Sequence, residues 1–338
     1  MSKCDLAVVL EKPDAQFQPG DTITGFVTVD VNKSVNARAF KVVLVNRTHG
    51  RGNIWRKEHQ EKVLFEGQWA PGEQHLYPFE FTIPNGPVTY HGNVLNVSWF
   101  IYTTVDIPWA FDPEHEHEVF LSAGEHTGLS QGPDTPVIPM DIPEGVVMGL
   151  LGVFALFIIA FSFAPLIMFG SDVFTNPAPV IGFSLVWAIP LWCGAAWLIY
   201  MAVRNKVAEQ KLGEVTVEIE PKSVLPGDEV AVFVTLAGAS VTLNGATVTL
   251  SGREVVVSGS GTNTTTHTHE LHESSSALAG SESIEGDYNL TTTLRVPDDA
   301  PASFGAPSNH LNWSIQVVFD IPWWPDWSRT VPIKVRPS

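Results

Sequence analysis

The sequence predicts a mainly β protein in which two antiparallel β-sandwiches are separated by a two-helix transmembrane hairpin. Three observations support this architecture: two long uncharged apolar runs in the middle of the chain, alternating polar and apolar residues on either side, and short motifs that recur in the same order in both halves. We predict a first sandwich over residues 1–122, a Pro- and Gly-rich linker over 123–145, the hairpin over 146–203 and a second sandwich over 213–338.

The two outer parts of the chain alternate polar and apolar residues with the period of a β-strand. Clear examples are Thr22–Val31, Phe79–Pro84 and Val215–Glu220, all rich in Val, Thr, Ile and Phe. No amphipathic helical pattern of comparable strength occurs there. Many short strands separated by turn residues favour a sandwich of two sheets over a single sheet.

The middle of the chain contains two uncharged runs, over residues 146–169 and 179–203. A helix of 24 residues spans about 36 Å, enough for a hydrocarbon core of roughly 30 Å. A pair of buried core helices is the alternative. The short connection "GSDVFTNPA" makes the helices antiparallel, so both sandwiches lie on one side of the membrane. That side is predicted to be cytoplasmic, because Arg204, Lys206 and Lys211 follow the second run whereas the connection has no Lys or Arg.

Short motifs recur in the two outer parts. "QPGDTITGFVTV" beginning at Gln18 matches "LPGDEVAVFVTL" beginning at Leu225, and "IPNGPVTYHGN" beginning at Ile83 matches "VPDDAPASFGA" beginning at Val296. Pro followed by Gly suits a type II turn, in which Gly readily takes a positive φ. Four matches in the same order predict that one fold occurs twice.

Each half also contains an aromatic strand that closes on an Asp-Ile-Pro-Trp segment. Trp99 and Trp313 each lie seven residues before the Asp of that segment. With the period of a strand, one face of each carries apolar residues that we predict to be core: Trp99, Ile101, Val105, Trp313, Ile315, Val317 and Phe319. The Pro ends the strand, and Trp109 and Trp323 are predicted to cover the ends of the two cores.

The second Asp-Ile-Pro-Trp segment carries two further tryptophans. Trp324 and Trp327 stand where the first copy has Ala110 and Pro113. They either pack against a neighbouring loop, which we favour, or contact a partner or the membrane interface. Both are therefore candidate interaction residues.

These motifs resemble those of the arrestin-like proteins, in particular the α-arrestins and the bacterial sporulation-control arrestin-like proteins. The similar segments are "FTIPNGPVTYHG" with "VSWFIYTTVDIPWAFDPEHEHEVFL", and more loosely "LRVPDDAPASFG" with "LNWSIQVVFDIPWWPDW". The resemblance covers both outer parts and none of the hairpin, and it implies two arrestin-like β-sandwiches. The Pro-Pro-x-Tyr motif of α-arrestins and the adjacent lysine pair of receptor-binding arrestins are missing from this sequence. Neither of those activities is therefore expected.

Residues with the chemistry of a metal site occur in two clusters. His115 and His117 alternate with glutamates, and His267 and His269 alternate with Thr and Glu. His-x-His on a strand puts both imidazoles on one face, which suits a metal, but the same pattern is typical of a solvated strand face. The second interpretation is favoured, since the sequence supplies no third ligand. A metal-dependent enzyme would need these clusters.

The sequence predicts no catalytic residue and no cofactor. It lacks Gly-x-Ser-x-Gly and a phosphate-binding glycine loop ahead of a helix. The formal charge of −17 argues against nucleic acid as a partner. We therefore expect a non-enzymatic, membrane-anchored adaptor that binds protein partners. The alternative is an accessory subunit of a membrane complex, with Gly149, Gly152, Gly182 and Gly194–Ala196 allowing close contact between helices.

Overall fold

The computed structural model describes residues 2–13, 15–123, 144–164, 167 and 177–337. These residues form a mainly β protein. The strands of the first half are β1 (Cys4–Leu10), β2 (Gln16–Phe17), β3 (Thr22–Val31), β4 (Val35–Gly50), β5 (Arg56–Trp69), β6 (Gln74–Thr82), β7 (Tyr90–His91), β8 (Leu95–Asp106) and β9 (Glu114–Leu121). Residues 124–143 of the predicted linker lie outside the described residues.

The first half is a β-sandwich. A three-stranded sheet with the order β1-β3-β6 faces a six-stranded sheet with the order β2-β9-β8-β4-β5, to which β7 is added on β8. One core contains side chains of both sheets, for example Ile23 and Phe81 of the smaller sheet with Phe40 and Trp99 of the larger. Apolar side chains at every second position of each strand meet in this core, which explains the alternation in the sequence.

The second half repeats this strand order. Its strands are β10 (Glu214–Glu220), β11 (Ser223–Val224), β12 (Glu229–Leu243), β13 (Gly245–Ser260), β14 (Asn263–Ala279), β15 (Glu282–Arg295), β16 (Phe304–Ala306), β17 (Asn309–Asp320) and β18 (Trp327–Val335). The sheets have the orders β10-β12-β15 and β11-β18-β17-β13-β14, with β16 added on β17. Each strand thus occupies the place of its counterpart in the first half.

The predicted turns and core faces are confirmed. Gly20 and Gly227 have φ of 94° and 84°, and the amides of Asp21 and Asp228 close the two turns onto Gln18 and Leu225. The side chains predicted as core on β8 and β17 are all at most 2% exposed: Trp99, Ile101, Val105, Trp313, Ile315, Val317 and Phe319.

Two helices separate the sandwiches in the described part of the chain: α1 (Glu144–Ser162) and α2 (Pro177–Leu212). They touch where the indole N–H of Trp192 donates to Ser162 Oγ at 3.2 Å and where the rings of Phe161 and Trp187 lie 5.7 Å apart.

Two helices of membrane-spanning length are predicted, and the described residues contain one. Ile181–Tyr200 of α2 has the length and the mean hydropathy, 1.6, of a membrane span. Within α1, the apolar stretch Gly152–Ser162 is shorter than a span. Most of residues 165–176, including the end of the first predicted run and the connection, lie outside the described residues.

Candidate functional site

The end of α2 is built into the second sandwich. Ala208 and Leu212 are fully buried in the core formed by its two sheets. Gly213 then ends the helix with a φ of 71°, and its N–H donates to the carbonyl of Glu209 at 2.9 Å. The strand β10 begins at the next residue. The last turns of α2 are therefore packed into the second sandwich.

The two extra tryptophans contact this helix end. Trp327 is 2% exposed, packs on Phe319 and donates its indole N–H to Glu209 Oε1 at 3.0 Å. Trp324 is 37% exposed and donates its indole N–H to the carbonyl of Val207 at 2.8 Å. The Lys211 ammonium lies 5.8 Å from the Trp324 ring centre, within the range of a cation–π contact. Their packing partner is thus a helix, whereas the sequence suggested a loop. Partner contact by Trp324 stays a prediction.

The tryptophans of the two Asp-Ile-Pro-Trp corners do not cover the cores, so that prediction is wrong. Trp109 and Trp323 are both 102% exposed. Each has a positive φ, 59° and 60°, and stands at the third position of a turn closed by an N–H to the carbonyl of Ile107 or Ile321. Pro at the second position and a positive φ at the third are the features of a type II turn. That geometry directs the indole away from the sandwich.

The sandwiches meet at a buried carboxylate. Glu254 of β13 is 0% exposed. Its oxygens accept the Tyr90 hydroxyl and the backbone N–H groups of Asn93, Val94 and Leu95, with N···O distances of 2.7 to 3.1 Å. Burial and this bond raise the pKa of Tyr90 above its ordinary value, so the hydroxyl stays a donor. One carboxylate therefore satisfies four donors of the other sandwich.

Further contacts surround this carboxylate. Asn53 donates its side-chain amide to the carbonyl of Gly259 at 2.8 Å and accepts the Gly259 N–H at 3.0 Å. Asn309, 1% exposed, donates to the carbonyl of Asn53 at 2.7 Å. Val94, Leu95 and Val97 of the first sandwich belong to the core of the second. The junction is therefore both polar and apolar, as expected of a fixed arrangement.

A cleft of about 410 Å³ lies beside the junction. Its walls carry Thr89 and Phe120 of the first sandwich, and Pro301 and Phe304 of the second. The lining is largely apolar, and Glu254 is not part of it. The described residues that line the cleft include no cluster of Asp, Glu, Lys or Arg side chains.

The predicted histidines are dispersed along two strands. His115 and His117 lie on the same face of β9. Burial and, as the smaller cause, the charge of His115 lower the pKa of His117. His267 Nε2 lies 3.2 Å from Ser258 Oγ, and His269 Nε2 lies 2.7 Å from Asn93 Nδ2 at the junction. In the part of the chain that the structure describes, no three His, Cys, Asp or Glu side chains come together as metal ligands would.

Sequence reasoning missed the junction. Glu254 stands at a core-facing position of β13, in the alternation that buries Val248, Leu250 and Val256. An acidic residue at such a position is a signal in the sequence that points to a buried contact. The equivalent position in the first sandwich is Thr48. Thr48 of β4 pairs with Val97 of β8, and Glu254 of β13 pairs with Leu311 at the matching position of β17. The first sandwich therefore has a Thr where the second has the Glu that forms the junction.

The chain was compared with known proteins. No family model matches it, and no curated protein matches it. A crystal structure of the sporulation control protein Spo0M from Bacillus subtilis is similar, with 23% identity and a TM-score of 0.31. That match covers 37% of this chain and 51% of the Spo0M chain, so this protein spans about half the length of the structure it matches.

Proposed function

We propose that this protein is a membrane-anchored arrestin-like adaptor, which holds two sandwiches at the cytoplasmic face of a membrane and binds protein partners there without catalysis. One observation carries the proposal. The span-length stretch Ile181–Tyr200 is only 11% buried, although α2 continues into the core of the second sandwich. An apolar helix of this length that the described part of the chain leaves uncovered needs an apolar environment.

A bilayer fits the size of this uncovered surface. Twenty helical residues extend about 30 Å, which is the thickness of the hydrocarbon core. Large apolar side chains point outward along the whole stretch, for example Val186 at 75% and Trp197 at 61% exposure. A core helix of a water-soluble domain would bury such side chains.

The junction between the sandwiches supports a second crossing. A chain that crossed the membrane once would leave the two sandwiches on opposite sides, which is incompatible with the bonds between Glu254 and residues 93–95. If α2 spans, the segment before it must cross as well. The contacts of Ser162 and Phe161 with α2 favour α1 for that crossing. The basic residues after the second run favour the cytoplasm for both sandwiches.

An adaptor also needs a surface for partners. Trp109 and Phe111 of the first sandwich are 102% and 101% exposed, and exposed aromatic side chains are typical of protein-binding surfaces. The charge of −17 favours a partner with a basic surface. Attachment to the membrane raises the local concentration of the sandwiches for membrane-associated partners.

Cysteine labelling in sealed vesicles tests anchoring and sidedness together. Cys4 is buried, and burial raises the pKa of its thiol to about 11, so it remains unreactive in the folded chain. In a Cys193→Ala background, Glu66→Cys and Glu218→Cys put one exposed thiol on each sandwich.

Both thiols should react with an impermeant maleimide only in vesicles whose cytoplasmic face is outward, and the protein should stay with the membrane at alkaline pH. Labelling of the two thiols from opposite sides would contradict two crossings. Release from the membrane at alkaline pH would contradict anchoring. Affinity purification that recovers no stoichiometric partner from solubilised membranes would contradict the adaptor.

The structure also offers an observation in favour of a second function, an accessory subunit that works through its helices. A Cβ added at Gly152, Gly182 or Gly194 would meet no atom of the described residues within 4 Å beyond the nearby backbone of its own helix. The contact between the two helices in the described residues therefore leaves these small residues available for a helix of another protein. Exchanging residues 146–203 for an unrelated hairpin separates the two functions: an adaptor keeps its partner, whereas an accessory subunit loses it.

A further inference from the structure

The corner of the second sandwich at Trp323 lies beside the point where α2 leaves its apolar stretch. We infer that this corner, Ile321–Pro325, is a lipid-contact site, in which the Trp323 indole inserts at the headgroup level of the membrane that α2 crosses. The inference rests on the proposed function, because it needs α2 in the bilayer.

The position of the corner follows from its contacts. The indole N–H of Trp324 donates to the carbonyl of Val207, and Asn205 Nδ2 donates to the carbonyl of Ser328 at 2.9 Å. The uncharged run ends at Val203, four residues before Val207. Four residues correspond to about 6 Å of helix, and the interfacial layer of a bilayer is roughly 5–8 Å thick on each side. The corner is therefore fixed at headgroup height.

The state of Trp323 is unusual for a residue in water. Its side chain is 102% exposed and its φ is 60°. A non-Gly residue in this region costs about 1–2 kcal/mol, and an indole in water forgoes the stabilisation that its burial would bring. Nothing in the sandwich recovers either cost. Insertion in the interfacial layer would recover part of it, since Trp prefers that layer, where its ring is in contact with lipid and its N–H with water.

The chemistry of the corner favours dipolar and apolar contact over attraction to anionic lipid. Asp320 and Asp326 flank it and are exposed, and the ammonium of Lys211 lies 5.8 Å from the Trp324 ring, so charges of both signs surround the corner. The contact should therefore form with zwitterionic phosphatidylcholine alone and persist at high salt.

Trp109 provides a matched control within the same chain. It has the same turn, the same φ and the same exposure, but it ends β8 of the first sandwich. The strand β8 begins at the junction at Leu95, and its twelve residues carry Trp109 away from the junction by about 36 Å. Trp109 contacts no part of α2 among the residues that the structure describes.

The test attaches an environment-sensitive fluorophore at Trp323→Cys or Trp109→Cys, each in the full-length Cys193→Ala chain reconstituted in phosphatidylcholine vesicles. Lipids carrying a spin label near the headgroup or near the end of the acyl chain quench nearby fluorophores. We expect loss of fluorescence at position 323 with the headgroup-proximal label, a smaller loss with the deep label, and no loss at position 109.

Equal quenching at both positions, or none at position 323 in protein that floats with the vesicles and resists alkaline extraction, would overturn the lipid-contact site and leave the anchoring intact. Protein that does not float would overturn both. Because both side chains are fully exposed, neither substitution removes packing, and unchanged thermal unfolding of the labelled variants checks this.

Discussion

Replacing the buried carboxylate at the junction with its neutral isostere tests whether hydrogen bonds hold the sandwiches together. In Glu254→Gln the shape is kept, but one of the two acceptor oxygens becomes an NH₂ donor. Glu254 Oε2 accepts from Val94 and Leu95, and Oε1 accepts from Tyr90, while the Asn93 N–H is shared by both. The best orientation of Gln keeps its oxygen toward Val94 and Leu95, and the Tyr90 hydroxyl rotates to accept from the NH₂ group.

The magnitude follows from this geometry. Hydrogen bonds to a charged group contribute about 1.5–3 kcal/mol and neutral ones about 0.5–1.5 kcal/mol, so each of three backbone bonds weakens by roughly 1 kcal/mol. Relief of the desolvation of a buried charge opposes this loss. Because the carboxylate already has four donors, we expect the loss to dominate, with a net destabilisation of about 2 kcal/mol.

Thermal unfolding of the full chain in detergent, followed by tryptophan fluorescence, measures the effect. With an unfolding entropy of about 2.1 cal/mol/K per residue, a loss of about 2 kcal/mol in a chain of 338 residues lowers the Tm by roughly 3 °C. Glu270→Gln on the neighbouring strand is the matched control, since Glu270 is exposed. It should change the free energy of unfolding by less than about 0.5 kcal/mol. An unchanged or raised Tm for Glu254→Gln would refute the view that the donors outweigh the desolvation of the charge.

Three further outcomes follow from burial and backbone geometry. Trp327→Ala should destabilise the chain by about 3–5 kcal/mol, because the indole is buried between the sandwich and α2; a loss below 1 kcal/mol in urea unfolding would contradict that packing. Trp109→Asn and Trp323→Asn in detergent should each raise the free energy of unfolding by about 0.5–1 kcal/mol, because Asn tolerates a positive φ at a lower cost; a lowered Tm would show that the indoles pack. Burial and, as the smaller cause, the charge of Lys57 lower the pKa of His59 from 6.5 to about 4. Between these pH values the unfolded chain therefore binds more protons at His59 than the folded chain does. Stability should therefore fall as the pH falls from 6.5 to 4, and less so in His59→Phe; identical pH profiles would contradict this.

The regular parts of the fold could be predicted from the sequence because their signals are local. Alternation along β8 and β17 indicates which face is core, since side chains of a strand alternate between its two sides. The Pro-Gly turns at Gly20 and Gly227 could also be predicted from local sequence. Their third position requires a positive φ, which Gly adopts more readily than any other residue.

The junction could not be predicted in the same way, because its partners are far apart in sequence. Glu254 binds residues 93–95, about 160 positions earlier, and no local pattern links them. The corners failed for another reason. The sequence Ile-Pro-Trp predicts the end of a strand with an indole that covers the end of the core. The turn that Pro108 and Pro322 favour instead gives the next residue a positive φ, which points the side chain outward.

Comparison of the two corners separates the tryptophans by role. Both corners share an outward indole at Trp109 or Trp323, although among the described residues only the second corner contacts a helix. Trp324 and Trp327 occur only in the copy that follows α2, and both donate to residues of its last turns. Trp324 and Trp327, which the first copy lacks, therefore attach the helix to the sandwich. The Trp that both copies share is part of the turn. We proposed a protein partner for the first corner and lipid for the second, and an exposed indole at both turns, against the backbone cost of its φ, supports these proposals.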